Sequence, residues 1–267
     1  MLMKNIFRHE LKAYSKSIIV WACSMTLLAV LYIFLFKELG RDIEEFKAFL
    51  SNMPEVLKKG FNILVDSVAT LEGFYSFVFS FVLLCGGIQA MNLGIAIVSK
   101  EVRDKTADFL MTKPISRLGI LMSKLLAAFS ALLMTNMIYL GLTVFAAVAV
   151  VGAFNLKVFC LISFTLFFVQ LMLMALGIMI AVLAGKIKSV ISVSLSTVFG
   201  FYVLGSLGSI LGEEKVRYFS PFRYFDPVYI IGHAAYETRF VVTGMAVIIA
   251  AIALSCLVYV KKDIHTV

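Results

Sequence analysis

Six long apolar blocks constrain the fold of this chain more than any other feature of its sequence. They cover about residues 18–36, 74–98, 120–153, 156–185, 189–212 and 240–260. Each block is near or above the roughly 20 residues that cross a bilayer as an α-helix. Charged residues make up 15% of the chain, whereas a soluble domain usually has about a quarter. The sequence therefore predicts an all-α membrane protein whose residues 1–267 form a single transmembrane domain of six transmembrane helices.

Basic residues are unevenly distributed among the segments that join these blocks. If the N-terminus is cytoplasmic, the inner segments hold 14 of the 24 lysine and arginine residues. Cytoplasmic segments of membrane proteins are enriched in lysine and arginine. The sequence thus predicts a multi-pass protein of the cell membrane with both termini in the cytoplasm. The net charge of +8 is then explained without nucleic acid as a partner.

Three segments outside the apolar blocks have patterns of their own. In residues 1–17 a basic stripe lies beside an apolar one, which favours an interfacial helix in the inner headgroup layer over an ordinary basic flank. In residues 37–73 apolar residues recur at helical spacing and Pro54 interrupts them, which predicts two short helices. These helices either pack on the outer surface or cover an outer exit. The prolines and aromatic residues of 213–239 predict a structured, turn-bearing connection.

Sequence motifs for catalysis are missing. The chain has no HExxH, no GxSxG and no P-loop, and its four cysteines lack metal-binding spacing. We therefore expect no enzyme activity, no metal site and no ATP hydrolysis by this chain. A secondary transporter usually has ionisable residues deep inside its membrane helices. The nearest candidate, Lys124, lies close to the start of its block and is expected to reach the inner surface.

The polar side chains inside the apolar blocks are neutral amides. They are Gln89, Asn92, Asn136 and Gln170. Two interpretations remain open for them: hydrogen bonds between helices, or the lining of a substrate path.

The segment between the second and third blocks is the most informative. Residues 99–117 continue directly from a membrane helix with mixed charge and an apolar stripe, and Pro114 ends the predicted helix. Ser116 is suited to cap the helix that re-enters the membrane. A short charged helix joined to two membrane helices is suited to transmit force from a cytosolic machine.

This segment resembles the signature of ABC-2 type transporter permeases, which is similar to E-x-x-x-G-T-x-x-x-L-x-x-x-P-hydrophobic-S-R followed by a lysine. The matching residues here are Glu101, Thr106, Leu110, Pro114, Ile115, Ser116, Arg117 and Lys124. Lys105 stands where glycine is common. The run Ser220-Pro221-Phe222-Arg223-Tyr224-Phe225 before the last block also resembles the family pattern.

The resemblance implies the membrane-spanning permease subunit of an ATP-driven ABC exporter. Two such chains, as a homodimer or a heterodimer, would assemble in the lipid membrane with two copies of a cytosolic ABC ATPase. That partner would hold ATP and Mg²⁺, whereas this chain would hold no cofactor. Residues 101–113 would be the coupling helix that docks on the ATPase. The implied ATPase-coupling residues are Glu101, Arg103, Asp104, Lys105, Thr106, Phe109, Leu110, Pro114 and Arg117.

The resemblance also implies a substrate path between the two permease copies, lined by the second and fifth membrane helices. Phe199 and Tyr202 of the fifth helix then join the four amides as candidate path or helix-contact residues. An apolar wall with a few amides suits an amphiphilic or hydrophobic drug, a peptide antibiotic or a lipid. The alternatives are an ion- or metal-related ABC permease, a self-sufficient secondary transporter or channel, and an immunity protein or enzyme embedded in the membrane.

Overall fold

The computed structural model of the chain describes residues 2–40, 42–60, 63, 65–103, 116–184 and 187–261. All regular secondary structure in these ranges is helical. Six of the helices are long and apolar enough to cross a membrane. The predicted all-α fold with six membrane-spanning helices is confirmed at this level.

The described ranges contain six long helices and several short ones. The nine α-helices are α1 (Leu2–Leu39), α2 (Ile43–Ser51), α3 (Glu55–Gly60), α4 (Leu71–Arg103), α5 (Arg117–Val150), α6 (Leu156–Ala184), α7 (Val190–Leu211), α8 (Pro227–His233) and α9 (Thr238–Lys261). Three 3-10 helices cover Val65–Ser67, Glu214–Phe219 and Pro221–Arg223. The candidate membrane-spanning helices are α1, α4, α5, α6, α7 and α9.

Helices α4 and α6 form the centre of the bundle. In the most apolar stretch of each, 67% of the residues are buried, against 17% to 33% in the other four membrane helices. Two glycines bring the backbones of α4 and α6 together. A Cβ atom at Gly94 would lie 2.4 Å from the carbonyl oxygen of Met174, and one at Gly177 would lie 2.8 Å from that of Met91. Small residues allow this close approach of membrane helices, which is stabilised by van der Waals packing.

The remaining membrane helices surround this pair. α1 packs against α5 and α4, α9 packs against α6, and α7 packs against α4. Each keeps a broad apolar face turned away from the bundle, such as Phe145 of α5, Leu207 of α7 and Ile249 of α9. In a membrane, such faces contact lipid or another protein.

The N-terminal segment differs from the prediction of a separate interfacial helix at residues 1–17. α1 runs without interruption from Leu2 to Leu39. Its 38 residues would measure about 57 Å, against roughly 30 Å for the hydrocarbon core of a bilayer. The physical reason is that neither glycine nor proline occurs in this stretch to break the helix. The basic N-terminal part of α1 therefore extends the first membrane helix.

The connections between helices follow the sequence signals closely. Helices α2 and α3 lie on either side of Pro54, as predicted. The turn between α5 and α6 contains Gly152, whose φ of 81° lies in the left-handed region that glycine adopts readily. Asn155 then accepts a hydrogen bond from the Val158 amide at 3.2 Å and so begins α6. Ser116 accepts one from the Gly119 amide at 3.1 Å, which confirms it as the cap of α5.

Candidate functional site

Three of the four predicted amides meet in the middle of the bundle. Gln170 of α6 donates to the side-chain oxygen of Gln89 at 3.0 Å and to the carbonyl oxygen of Gly86 at 3.2 Å. Its own side-chain oxygen accepts from Asn136 of α5. Gln89 in turn donates to the Thr135 hydroxyl at 3.1 Å. One hydrogen-bonded cluster, here called the amide cluster, thus joins α4, α5 and α6.

The amide cluster is almost completely buried. Gln170 is fully buried, and the exposed fractions of Gln89 and Asn136 are 4% and 6%. Both hydrogens of the Gln170 amide are used, and Asn136 also donates to the carbonyl oxygen of Leu132 at 2.8 Å. In this conformation these side chains form hydrogen bonds between helices. A role in lining a substrate path stays a prediction.

The other three residues predicted for a path are not among the hydrogen-bonded members of the amide cluster. Asn92 is half-buried and lines a small cavity beside Trp21 of α1, which Gln89 of the amide cluster also lines. Phe199 is 46% exposed on the outer face of α7. Tyr202 is half-buried and packs edge-on against Phe222, with ring centres 5.6 Å apart. The structure therefore does not gather the predicted path residues at one site.

Most of the predicted coupling segment lies outside the described residues. This applies to Asp104, Lys105, Thr106, Phe109, Leu110 and Pro114. The backbone of Glu101 and Arg103 belongs to the last turn of α4, and Arg117 begins α5. The coupling role of these residues stays a prediction, but the helices on both sides of the segment are described.

The ends of α4 and α5 beside this segment are held by buried charges. The exposed fraction of Lys124 is 1%, and its ammonium donates to the carbonyl oxygen of Ile97 at 2.7 Å. The expectation that Lys124 reaches the inner surface is therefore wrong. The reason is that α5 packs against α4, which brings the carbonyl oxygen of Ile97 within hydrogen-bonding distance of the buried ammonium. Glu10 of α1, 4% exposed, lies 3.5 Å from the ammonium of Lys100.

A cavity of about 40 Å³ lies toward the opposite end of the bundle, between α4, α6, α7 and the connection that precedes α9. Its walls combine apolar side chains, hydroxyl groups and one guanidinium. This cavity, here called the Arg223 cavity, is lined among others by Ser76, Phe79, Ser80, Leu83, Ser206 and Arg223. Burial lowers the pKa of Arg223, the charge of Arg217 acts in the same direction, and Asp226 opposes both. The guanidinium stays charged at neutral pH because the ordinary pKa of arginine is far above it.

The connection before α9 is held rigidly, which confirms the predicted structured turn. The Ser220 hydroxyl donates to the carbonyl oxygen of Phe201 at 2.7 Å. Arg217 and Arg239 both reach the carboxylate of Glu237, at 2.6 Å and 2.9 Å. Burial would raise the pKa of Glu237, but the hydrogen bonds and charges of the two arginines outweigh it and lower that pKa. Arg217 also lies 4.0 Å from the ring centre of Phe240.

Sequence reasoning did not select Glu10 or Arg223 as site residues. A lone acid in the basic N-terminal segment was the available signal for Glu10. For Arg223 it was a single cation inside the aromatic run of residues 222–225. Among the described residues, no group of three or more histidine, cysteine, aspartate or glutamate side chains could hold a metal ion.

Comparison with known proteins identifies a family whose model matches this chain. A family model described as the multidrug efflux system permease Rv1217c, C-terminal domain, matches residues 10–257. The matched range contains nearly all of the six candidate membrane helices, from the N-terminal part of α1 into the last turns of α9. It is consistent with the resemblance to ABC-2 type permeases. A comparison with curated proteins found no match.

Proposed function

Because this chain belongs to the family of the multidrug efflux system permease Rv1217c, C-terminal domain, we propose that it is the membrane-spanning subunit of an ATP-driven ABC-2 type exporter. Its cargo is an amphiphilic or hydrophobic molecule, such as a drug, a peptide antibiotic or a lipid, that moves outward across the cell membrane. A separate cytosolic ATPase holds ATP and Mg²⁺. Two permease copies, identical or different, assemble with two ATPase copies.

The observation that carries this proposal is the anchoring of the helices on both sides of residues 104–115. Lys124 of α5 donates to the carbonyl oxygen of Ile97 in α4 at 2.7 Å. Glu10 of α1 lies 3.5 Å from Lys100 of α4. Lys124 and Glu10 are buried, and moving either away from its partner would leave a buried charge with less compensation in a low-dielectric region. A push on the segment would therefore move α1, α4 and α5 together.

Contacts along α4 would transmit this movement from the end near residues 104–115 to the opposite end of the bundle. Beyond the anchors, α4 contacts α6 through Gly94 and Gly177. Further along α4, the amide cluster links it to both α5 and α6. In the proposed mechanism, closure of the ATPase tilts α4 and α5, and α6 follows through these contacts. An outward path then opens toward the end that holds the Arg223 cavity.

The second permease copy has a suitable surface on α7. In its most apolar stretch 22% of the residues are buried, and α9, with 17%, is as open; the resemblance to ABC-2 type permeases is what favours α7. Ile191, Phe199 and Val203 are exposed along this helix. We assign this face to the contact between permease copies, with Phe199 in it. α4 is too deeply packed in this conformation to contribute as much as α7.

The test is purification of the tagged chain in mild detergent, followed by mass spectrometry of the proteins that remain bound. We expect a stoichiometric soluble protein with a P-loop. Glu101→Lys reverses the charge in the proposed docking segment and should release most of this partner and stop transport. Glu45→Lys makes the same reversal on the exposed face of α2 and should retain both.

Two outcomes would contradict the proposal. A chain that purifies without an ATPase, even after crosslinking in membranes, would support a self-sufficient transporter or an immunity protein instead. A Glu101→Lys variant that keeps its ATPase and its transport would remove the docking role from this segment.

A further inference from the structure

A small cavity between α1, α4 and α5 is lined by uncharged polar side chains. Ser17 and Trp21 of α1, Gln89 and Asn92 of α4 and Ala131 of α5 are among its walls. We propose that this cavity, here called the Asn92 cavity, binds an ester or amide carbonyl group of an amphiphilic molecule. The inference rests on the proposed export of amphiphiles and adds the chemical group through which the protein recognises them.

Three side chains at the cavity have hydrogen-bond donors that the protein does not use. Among the described residues, none forms a hydrogen bond with the side chain of Ser17, Trp21 or Asn92. The indole N–H of tryptophan is a donor only, the asparagine amide has two N–H donors, and the serine hydroxyl has one. A carbonyl oxygen, which only accepts and has two lone pairs, is the uncharged group that such a set of donors suits.

The lack of charge at the cavity selects against ionic groups. Among the described residues that line it, none has an ionised side chain. A carboxylate or an ammonium group would lose its hydration there without gaining a counter-charge, and this loss costs far more free energy than the desolvation of a carbonyl. The ligand group is therefore a neutral one.

The inner wall of the cavity is already occupied with internal hydrogen bonds. Gln89 donates to the Thr135 hydroxyl at 3.1 Å and accepts from Gln170 at 3.0 Å. Its exposed fraction is 4%, whereas Asn92 is half-buried and Ser17 is exposed. Recognition of the ligand therefore depends on Asn92, Trp21 and Ser17, and the amide cluster closes the cavity behind them.

The position of the cavity along the bundle fits the boundary between head groups and hydrocarbon. Ser17 directly precedes the apolar block at 18–36, and Trp21 lies in the first turn of that block. Tryptophan is enriched at this boundary in membrane proteins. Asn92 lies about 12 Å along α4 from Lys100, which pairs with Glu10 near the end of the bundle. The ester groups of a lipid, or of another amphiphile in the same leaflet, are found at such a depth.

The cavity takes only the carbonyl group, and the surface beside it takes the rest of the molecule. Its volume of about 30 Å³ is sufficient for a group the size of a water molecule, which needs about 10–15 Å³. The exposed Ser17 connects the cavity with the surface of α1. Val20, Leu27 and Leu31 continue along the same side of α1 and are each more than half exposed. An acyl chain would lie along this apolar stripe, outside the cavity.

The experiment uses the fluorescence of Trp21, which is the one tryptophan of the chain. The full chain, with a tag that lacks tryptophan, is placed in liposomes of an ether-linked phosphatidylcholine, which has no carbonyl group. A fatty acid methyl ester with bromine atoms near its ester group is added, and quenching by bromine is recorded. The matched probes are the brominated methyl ether and the brominated alkyl sulfonate of the same chain length. We expect saturable quenching by the ester and only weak, linear quenching by the other two.

Variants connect the quenching to the donors of the cavity. Asn92→Leu keeps the size of the side chain and should weaken the apparent affinity for the ester about two- to tenfold, the range for one hydrogen bond between uncharged groups. Asn92→Asp removes both N–H donors and should weaken it at least as much, whereas Asn92→Gln keeps them and should retain part of the affinity. Ser17→Ala should also weaken binding. Ser24→Ala, at an exposed serine of α1 outside the cavity, should leave it unchanged. Gel filtration first confirms that each variant is folded and monodisperse.

Equal quenching by the ester and the ether would overturn the inference, and so would unchanged affinity in folded Asn92→Leu and Asn92→Asp. A second titration in ester-linked phosphatidylcholine identifies the source of the carbonyl. Loss of the saturable quenching there would assign the site to the membrane lipid, and its persistence would assign the site to a transported molecule. Both of these results support recognition of a carbonyl.

The outcomes also separate this inference from the proposed function. If the ester does not bind but an ATPase co-purifies with the chain, only this inference fails. If the ester binds and no ATPase is found, the site stands and the exporter proposal fails.

Discussion

At the scale of single residues, Gln170 of α6 is notable because its side chain forms hydrogen bonds to two other membrane helices. Its side chain bonds to Gln89 and Gly86 of α4 and to Asn136 of α5. Gln170 itself is out of reach of water, because it is fully buried. An amide in such a place must find its partners within the protein. Hydrogen bonds between membrane helices contribute about 0.6 kcal/mol on average and up to about 1.7 kcal/mol, and Gln170 makes three of them.

We predict that Gln170→Leu lowers the free energy of unfolding by about 1–2 kcal/mol. The physical reason is that the side-chain oxygen of Gln89 and one hydrogen of the Asn136 amide lose their partners in the core of the bundle. Unfolding by denaturing detergent in mixed micelles measures this difference. Asn92→Leu is the matched control, because Asn92 is a half-buried amide outside the cluster. Equal stability of Gln170→Leu and the wild-type chain would contradict the argument.

At the scale of elements, α4 is the helix that connects the two ends of the molecule. Lys124 and Glu10 hold its C-terminal part. Gly94 sets its contact with α6, and the amide cluster follows further toward the N-terminus of α4. Ser76 and Ser80 then line the Arg223 cavity. A displacement of α4 would therefore change each of these contacts.

The close contact of α4 with α6 predicts that alanine substitutions at two glycines change the free energy of unfolding differently. Gly94→Ala should lower the free energy of unfolding by about 1–3 kcal/mol, as overpacking in a core does, because its Cβ atom would lie 2.4 Å from a backbone oxygen of Met174. Gly200→Ala places the same methyl group on α7 in open space. It should leave stability unchanged or raise it by up to about 1 kcal/mol through helix propensity.

The measurement is the same detergent-induced unfolding, with both variants made in the wild-type chain. Gel filtration reports whether Gly94→Ala also loosens the bundle. Similar destabilisation by both substitutions would show that glycine matters in these helices for reasons other than the contact between α4 and α6.

The sequence predicted elements better than it predicted contacts. A helix in a bilayer must satisfy its backbone hydrogen bonds internally, so the apolar block at 74–98 gave α4 (Leu71–Arg103) within a few residues. Pro54 and Ser116 act locally, and the structure confirms both. Lys124 was predicted wrongly because its environment depends on the carbonyl of Ile97, a residue 27 positions away. Likewise, Gln170 was recognised as a candidate, but its partners depend on how α4, α5 and α6 pack.

At the scale of the whole molecule, the bundle has two unlike ends and an apolar belt between them. One end has the N-terminal part of α1, with the anchors Lys124 and Glu10–Lys100. The other end has α2, α3, α8 and the network of Arg217, Glu237 and Arg239. Under the proposed function, the first end meets the ATPase and the second releases cargo. Both assignments require the N-terminus to be cytoplasmic.

That orientation can be tested with two matched serines. Ser15 near the start of α1 and Ser51 at the end of α2 are both exposed, and each donates to a carbonyl oxygen three residues earlier in its helix. After Cys23, Cys85, Cys160 and Cys256 are replaced by alanine, each serine is changed to cysteine separately. A membrane-impermeant maleimide is then added to intact cells that make the chain. We expect Ser51→Cys to react and Ser15→Cys to remain unlabelled, since lysine and arginine favour the cytoplasmic side.

Permeabilised cells provide the control, because both cysteines should then react to the same extent. The reverse pattern in intact cells would place α2 and α3 in the cytoplasm, and residues 104–115 could not reach a cytosolic ATPase. The exporter mechanism would then be lost, although the six-helix fold would be unaffected. Labelling at Ser51 alone would put the end of the bundle that holds the Arg223 cavity on the side to which an exporter delivers its cargo.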